Sequence, residues 1–120
     1  MMRIITLTAL FVLSRPVQAG NAGFLPDGKG LIHTDEHSLK IYDLTTSHET
    51  SLDWPIDRNW SYPSLAVTHS EIIIAGDQDA LAWNPEAKTW RPFWHCQEGM
   101  RIDDIAYDPK THRVMICTHS

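Results

Sequence analysis

Short apolar runs separated by polar turns form the pattern of the chain from residue 22 onward. The run at residues 72–75 is rich in β-branched side chains and ends at Gly76, which is typical of a buried strand followed by a turn. Residues 80–83 predict the next strand, and Asn84 with Pro85 predicts a tight turn. Residues 90–93 then return antiparallel, so that Trp83 lies opposite Trp90. This stretch therefore predicts three consecutive antiparallel strands.

The same order of strands recurs along the chain. An offset of 41 residues places Trp83 on Tyr42 and Ile72 on Leu31, and an offset of 42 places Ile72 on Val114. A repeat of roughly 40 to 45 residues with four strands is typical of β-propeller blades, because one such sheet cannot bury both of its apolar faces without neighbours. The predicted fold is all-β: an incomplete β-propeller of about two and a half four-stranded antiparallel blades. The blade units fall roughly at residues 22–52, 63–93 and 102–120.

Local motifs resemble those of known propeller families. The order of an apolar run, Gly76, the pair at residues 83–84 and then Trp90 resembles a kelch blade. The segments FLPDGKGLIHT and IAYDPKTHRVMIC resemble the inner hairpins of WD40-like and related bacterial propellers. The first unit departs from the kelch pattern, with Asp35 at the glycine position and Glu49 at the tryptophan position. The resemblance implies membership of the β-propeller superfamily and leaves the family open.

The N-terminus has the features of a secretory signal peptide. A basic start at Arg3 precedes an uncharged, largely apolar run of ten residues at positions 4–13, and small or medium residues lead to Ala19. These features predict a signal peptide at residues 1–19, with cleavage after Ala19 or alternatively after Ala22. A membrane anchor is the other interpretation, but this run of ten residues falls short of the roughly 20 that span a bilayer. The chain is therefore predicted to be secreted or periplasmic, without a stable membrane span.

The charge balance argues against one class of partner. Ten Lys and Arg residues face fifteen Asp and Glu residues, for a net charge of −5. Loss of Arg3 and Arg15 with the leader makes the chain more acidic still. Nucleic-acid binding requires a basic stripe, and the remaining cations are scattered singly. We expect no nucleic-acid partner.

The length is short for a closed ring, which takes about four to eight blades. The chain is interpreted as a fragment of a longer propeller. It could alternatively complete a ring with other chains, or carry a vestigial repeat in a small β domain. Self-association through open blade edges is expected, since a long apolar edge left unpaired is a template for another strand.

Loops at one end of the predicted sheets are the candidate binding surface. The loops between second and third strands and the blade-to-blade connections emerge together, and we call this end the loop rim; the first-to-second and third-to-fourth strand turns form the turn rim. Long aromatic connections on a rigid scaffold are typical of binding surfaces. The alternative is that the tryptophans pack as wedges between blades. The loop-rim candidates for binding a protein or glycan ligand are Trp54, Trp60, Tyr62, Trp94, His95 and Arg101.

The two cysteines are the only candidates for cross-linking chemistry. Cys96 and Cys117 are predicted to emerge on the loop rim, and in an exported protein two thiols favour a disulfide. The alternative is that Cys117 is a small core residue. The seven histidines lack the spacing of a zinc site and stand in no recognisable nucleophile motif. We predict no catalytic, metal or cofactor site.

Two functional classes remain open. The favoured hypothesis is an exported, non-enzymatic binding or interaction module built from propeller blades. The alternative is the N-terminal part of a propeller enzyme whose catalytic residues lie in other blades. Such an enzyme would be a quinoprotein-type or kelch-type oxidoreductase, or a glycan-active lyase or hydrolase.

Overall fold

The computed structural model describes residues 22–56, 60 and 63–120; the predicted signal peptide lies outside them. The described residues form ten strands in three antiparallel sheets with the strand orders β1-β2-β3-β4, β5-β6-β7-β8 and β10-β9, which we call the first, second and third sheets. This confirms the predicted all-β fold, an incomplete propeller-like arrangement. The strands are β1 (Ala22–Phe24), β2 (Gly30–Thr34), β3 (Ser38–Asp43), β4 (Glu49–Asp53), β5 (Ser64–Val67), β6 (Ile72–Gly76), β7 (Asp79–Asn84), β8 (Thr89–His95), β9 (Arg101–Asp108) and β10 (Arg113–His119).

The register of the second sheet is the predicted one. Trp83 pairs with Trp90 across β7 and β8, and their ring centroids lie 5.2 Å apart. In the first sheet, Tyr42 pairs with Glu49, as the 41-residue offset requires. The strand β8 carries a bulge opposite Ala80, which increases the local twist of this outer edge.

The turns between third and fourth strands have the same conformation in the first two sheets. The side-chain oxygen of Asp43 accepts hydrogen bonds from two backbone N–H groups that follow it, and Asn84 does the same in the second sheet. Each turn ends in a residue with positive φ, Ser47 at 61° and Lys88 at 57°. Asp and Asn favour such turns because their short side chains bond the nearby backbone. The repeat is therefore present in the turn geometry as well as in the strands.

Two apolar layers separate the three sheets. Side chains alternate along β6, so that Ile72 and Ile74 face the first sheet while Ile73 faces the third. The face toward the first sheet is bulky, with Leu65, Leu81 and Trp83 also buried there. The face toward the third sheet is built mainly from small side chains, namely Ala66, Ala75, Ala80 and Ala82. The first sheet covers the bulky layer, and the third sheet covers the layer of small side chains.

Candidate functional site

Two of the predicted loop-rim residues belong to the core. Trp54 and Trp60 are buried between the first and second sheets, with ring centroids 4.9 Å apart in a stacked arrangement. Their backbone N–H groups donate to the carbonyl oxygens of His37 and Glu36, in the loop that follows β2. The interpretation as wedges between sheets holds for this pair, because a buried indole presents no surface to a ligand.

A glycine makes room for one of these indoles. Gly76, the last residue of β6, lies so close to Trp60 that a Cβ built at this position would be 2.4 Å from the Cγ and Cδ2 atoms of the ring. The absence of a side chain at Gly76 is what allows the ring to lie against the backbone. The glycine of the kelch-like pattern thus serves close packing at this position.

The remaining loop-rim candidates are dispersed. Tyr62 lies outside the described residues. Trp94 is 43% exposed near the end of β8, and the neighbouring His95 binds the carboxylate of Asp79 through Nδ1 at 2.7 Å. Arg101 begins β9 and pairs in register with His119. Of the predicted binding residues that the structure describes, Trp94, His95 and Arg101 are the ones that reach the surface.

The predicted disulfide is not formed in the structure, where both cysteines are free thiols. Cys96 is buried in the layer between the second and third sheets, together with Ile105. Cys117 is exposed, and it lies on the opposite face of β10 from Ile116, which packs against that layer. The strand alternation therefore directs the two thiols to different sides of the third sheet. Burial and the charge of Asp79 raise the pKa of the Cys96 thiol, which favours its neutral form.

Two concavities lie at the turn rim, opposite the predicted binding surface. A cavity of about 470 Å³ separates the turns of the first and second sheets, with Asp27 and Glu86 on its walls. A second cavity of about 290 Å³ lies between the second and third sheets and includes Phe93. His69 and Ser70 line both cavities, so the turn between β5 and β6 is the partition between them.

A cluster of three polar rings borders the smaller cavity. The hydroxyl oxygen of Tyr107 lies 3.1 Å from Nδ1 of His69 and 3.0 Å from Nδ1 of His112. The two imidazole rings meet edge to face with centroids 5.0 Å apart. Tyr107 has one hydroxyl proton to donate, so one imidazole accepts it while the other donates its own Nδ1–H to the phenol oxygen. No local sequence motif marks this cluster, since its members come from two turns and a strand of two different sheets.

An ion pair lies at the same cavity. The guanidinium of Arg91 donates two hydrogen bonds to the carboxylate of Glu71, at 2.9 and 2.7 Å. These bonds lower the pKa of Glu71 and raise that of Arg91, because each charge stabilises the other. The guanidinium also lies over the ring of Phe93, 5.3 Å from its centroid. Arg91 therefore holds both the Glu71 carboxylate and the Phe93 ring in place on this side of the cavity.

An open strand edge adjoins this cavity. Among the described residues, β10 pairs only with β9, whereas the second strands of the other two sheets pair on both sides. Val114 of β10 and Phe93 of β8 line the same cavity, so the open edge lies near the outer strand of the second sheet. Trp94 pairs with Ala80 and thus lies on the face of β8 that points toward the third sheet. We call the open edge of β10 and the side chains Phe93 and Trp94 the strand groove.

The chain matches no family model, and the search of curated proteins finds no similar sequence. Membership of the propeller superfamily therefore stays a prediction. In the part of the chain that the structure describes, no helix is long and apolar enough to cross a membrane.

Proposed function

We propose that the chain is an exported, non-enzymatic interaction module of the β-propeller type that binds an extended segment of a partner protein in the strand groove. The observation that carries this proposal is that β10, among the described residues, pairs on one side only and lies beside the partly exposed aromatic side chains of β8. Strand addition satisfies the free backbone N–H and C=O groups of such an edge, and side-chain pockets alongside supply selectivity.

The edge of β10 differs from the edges formed by the fourth strands, β4 and β8. The edge strand β4 carries exposed polar and charged side chains such as Glu49 and Asp53, and β8 contains Pro92 and a bulge. Prolines, charges and bulges are the features that prevent pairing at sheet edges. The central residues of β10, at positions 114–118, carry no charge and no proline. This edge thus retains the capacity to pair.

The repeat indicates the shape of the ligand. In the first and second sheets, the place beside the second strand is taken by an antiparallel strand and then by a fourth one. The equivalent place beside β10 would therefore accept an antiparallel strand whose apolar side chains alternate. One face of that strand would cover Phe93 and Trp94, of which Trp94 is 43% exposed. A protein segment fits this surface better than a glycan does, because main-chain pairing is what the edge offers.

A hairpin peptide tests the proposal. The peptide DALAWNPEAKTWRPFWH, which is the β7–β8 hairpin of this chain, supplies the strands that the repeat places beside a second strand. We expect it to slow amide hydrogen exchange at residues 113–119 of the full chain, while a scrambled peptide of the same composition does not. Equal exchange with the two peptides would contradict strand addition.

Matched variants locate the contact. Trp94→Ala removes an exposed aromatic side chain from the groove, and we expect it to weaken peptide binding about tenfold, in the range of interface aromatic residues. Phe24→Ala is the control, because Phe24 is 44% exposed on the first sheet, away from β10. Equal losses in the two variants would place the peptide elsewhere. Sedimentation of the chain alone distinguishes self-association from peptide binding.

A further inference from the structure

We propose that His69, Tyr107 and His112 form a binding site for a divalent transition-metal ion, with Cu²⁺ as the best-fitting ion. This inference goes beyond the proposed function and does not depend on it. In the described part of the chain, no three His, Cys, Asp or Glu side chains are grouped as metal ligands. The candidate site differs from such groups because its third ligand is a phenol oxygen.

The distances from the phenol oxygen to the two imidazole nitrogens match those between donor atoms that share an ion. A four-coordinate ion with bonds of about 2.0–2.1 Å holds neighbouring donor atoms about 2.9–3.4 Å apart. The phenol oxygen of Tyr107 lies 3.1 Å from one imidazole Nδ1 and 3.0 Å from the other. Both nitrogens converge on the same oxygen, so a modest outward shift of the hydroxyl would admit an ion between the three atoms. Water can complete the coordination, because both histidines are exposed.

The three ligands stand on well-ordered local structure. His69 belongs to a turn in which the hydroxyl oxygen of Thr68 accepts hydrogen bonds from the N–H groups of Ser70 and Glu71. His112 ends a turn fixed by Asp108, whose carboxylate accepts from Lys110 N–H and from the hydroxyl of Thr111. Tyr107 lies on β9 opposite Val114. Ligands held by rigid turns and strands lose little conformational entropy on binding an ion.

The chemistry of the donors selects the ion. Imidazole nitrogen suits copper, nickel and zinc, and affinity for a given nitrogen and oxygen site rises from nickel to copper and falls again at zinc. On binding, the hydroxyl of Tyr107 releases its proton to solvent and the oxygen becomes a phenolate ligand. The imidazole that carries its proton on Nδ1 transfers it to Nε2 through solvent, so both imidazoles are neutral, protonated on Nε2, and coordinate through Nδ1. Ion binding therefore releases at least one proton per site, and affinity should rise with pH.

The test is a titration of the chelator-treated full chain with Cu²⁺, followed by visible absorption and electron paramagnetic resonance. We expect one ion per chain, nitrogen hyperfine structure, and a phenolate-to-copper charge-transfer band that Tyr107→Phe abolishes. His69→Ala or His112→Ala should weaken the affinity by about tenfold or more, whereas His48→Ala, which removes an exposed turn histidine of the first sheet, should leave it unchanged.

The outcomes separate the two proposals. Unchanged copper affinity in His112→Ala, equal losses in His48→Ala and His112→Ala, or a charge-transfer band that persists in Tyr107→Phe would overturn the metal site. Circular dichroism of each variant checks that the sheets are retained, and Tyr107→Phe preserves the ring packing if an alanine variant fails to fold. Peptide binding is measured with chelator present, so that its failure leaves the metal result intact and the reverse also holds.

Discussion

Replacement of Gly76 by alanine should destabilise the fold through a single steric conflict. The added Cβ would lie 2.4 Å from two atoms at the base of the Trp60 ring and 2.9 Å from its Cβ, whereas ordinary contacts are 3.4–4 Å. The ring must therefore retreat by about 1 Å, which overpacked cores accommodate only with strained rotamers and backbone shifts. Trp60 is 1% exposed and stacks on Trp54, so it has no free space to enter. We expect Gly76→Ala to lower the free energy of unfolding by about 1–3 kcal/mol.

Urea denaturation followed by far-ultraviolet circular dichroism measures this loss without relying on the tryptophan signal. Gly30→Ala is the control: its Cβ also meets an atom at 2.4 Å, but that atom is a terminal methyl of Leu25, which can rotate away, and the next contacts, with Leu25 Cγ and the backbone oxygen of Tyr42, are at 3.1 Å. The control should therefore lose less. Trp60→Ala should cost roughly 3–5 kcal/mol by itself.

A double-mutant cycle isolates the conflict between the two side chains. Gly76→Ala should add little to the loss already caused by Trp60→Ala, because the ring that opposes the new methyl group is then gone. Full additivity of the two losses would refute the steric explanation. So would a loss below about 0.5 kcal/mol in Gly76→Ala alone, which is the level of an ordinary surface substitution.

Three further predictions address other parts of the structure. Trp83→Ala should lower the free energy of unfolding by roughly 3–5 kcal/mol, and Trp83→Phe by less; equal losses in urea melts would contradict the packing of the indole. Burial raises the pKa of Asp35, but hydrogen bonds from His37 and Ser38 outweigh it and lower the pKa from 3.8 to about 2. Its stabilisation, roughly 1 kcal/mol after allowance for solvent screening, is thus present above about pH 4 and lost toward pH 2. Asp35→Ala should therefore be less stable than the parent at pH 6, and the difference should shrink as the pH falls from about 4 through 2; a constant difference across this range would refute the assignment. Maleimide should modify Cys117 in the native chain and Cys96 only after unfolding; a chain without free thiols when unfolded and non-reduced would indicate a disulfide instead.

Strand positions and register were predictable because they depend on local patterns. Alternation of apolar residues and the turn residue Asn84 were sufficient to place Trp83 opposite Trp90. The 41-residue offset transferred that register to the first sheet, where Tyr42 pairs with Glu49. These features depend on residues that are close in the chain or related by the repeat.

The candidate sites were less predictable because they depend on how different sheets meet. The sequence marks Trp54 and Trp60 as aromatic residues in a connection but does not say whether the connection folds inward. Trp60 occupies space that Gly76 of β6 leaves free, and Trp54 stacks on Trp60. The cluster around Tyr107 similarly requires turns from two sheets to be brought together, which no local pattern reports. The alternation of side chains along β10 is a signal that could have separated Cys117 from Cys96. Ile116 is the more apolar of the two neighbouring residues and occupies the buried face, so Cys117 lies on the exposed face.

The two faces of the second sheet carry side chains of different size, and this difference determines which sheet can pack on which face. Toward the first sheet it presents Leu81 and Trp83, and toward the third it presents Ala80 and Ala82. A bulky surface fits against a neighbour only where that neighbour leaves room, so two such sheets cannot be exchanged or turned over without leaving voids on one side and collisions on the other. The order of the sheets along the chain is therefore specified by side-chain size: each face of the second sheet packs well only against the neighbour that it has in the structure.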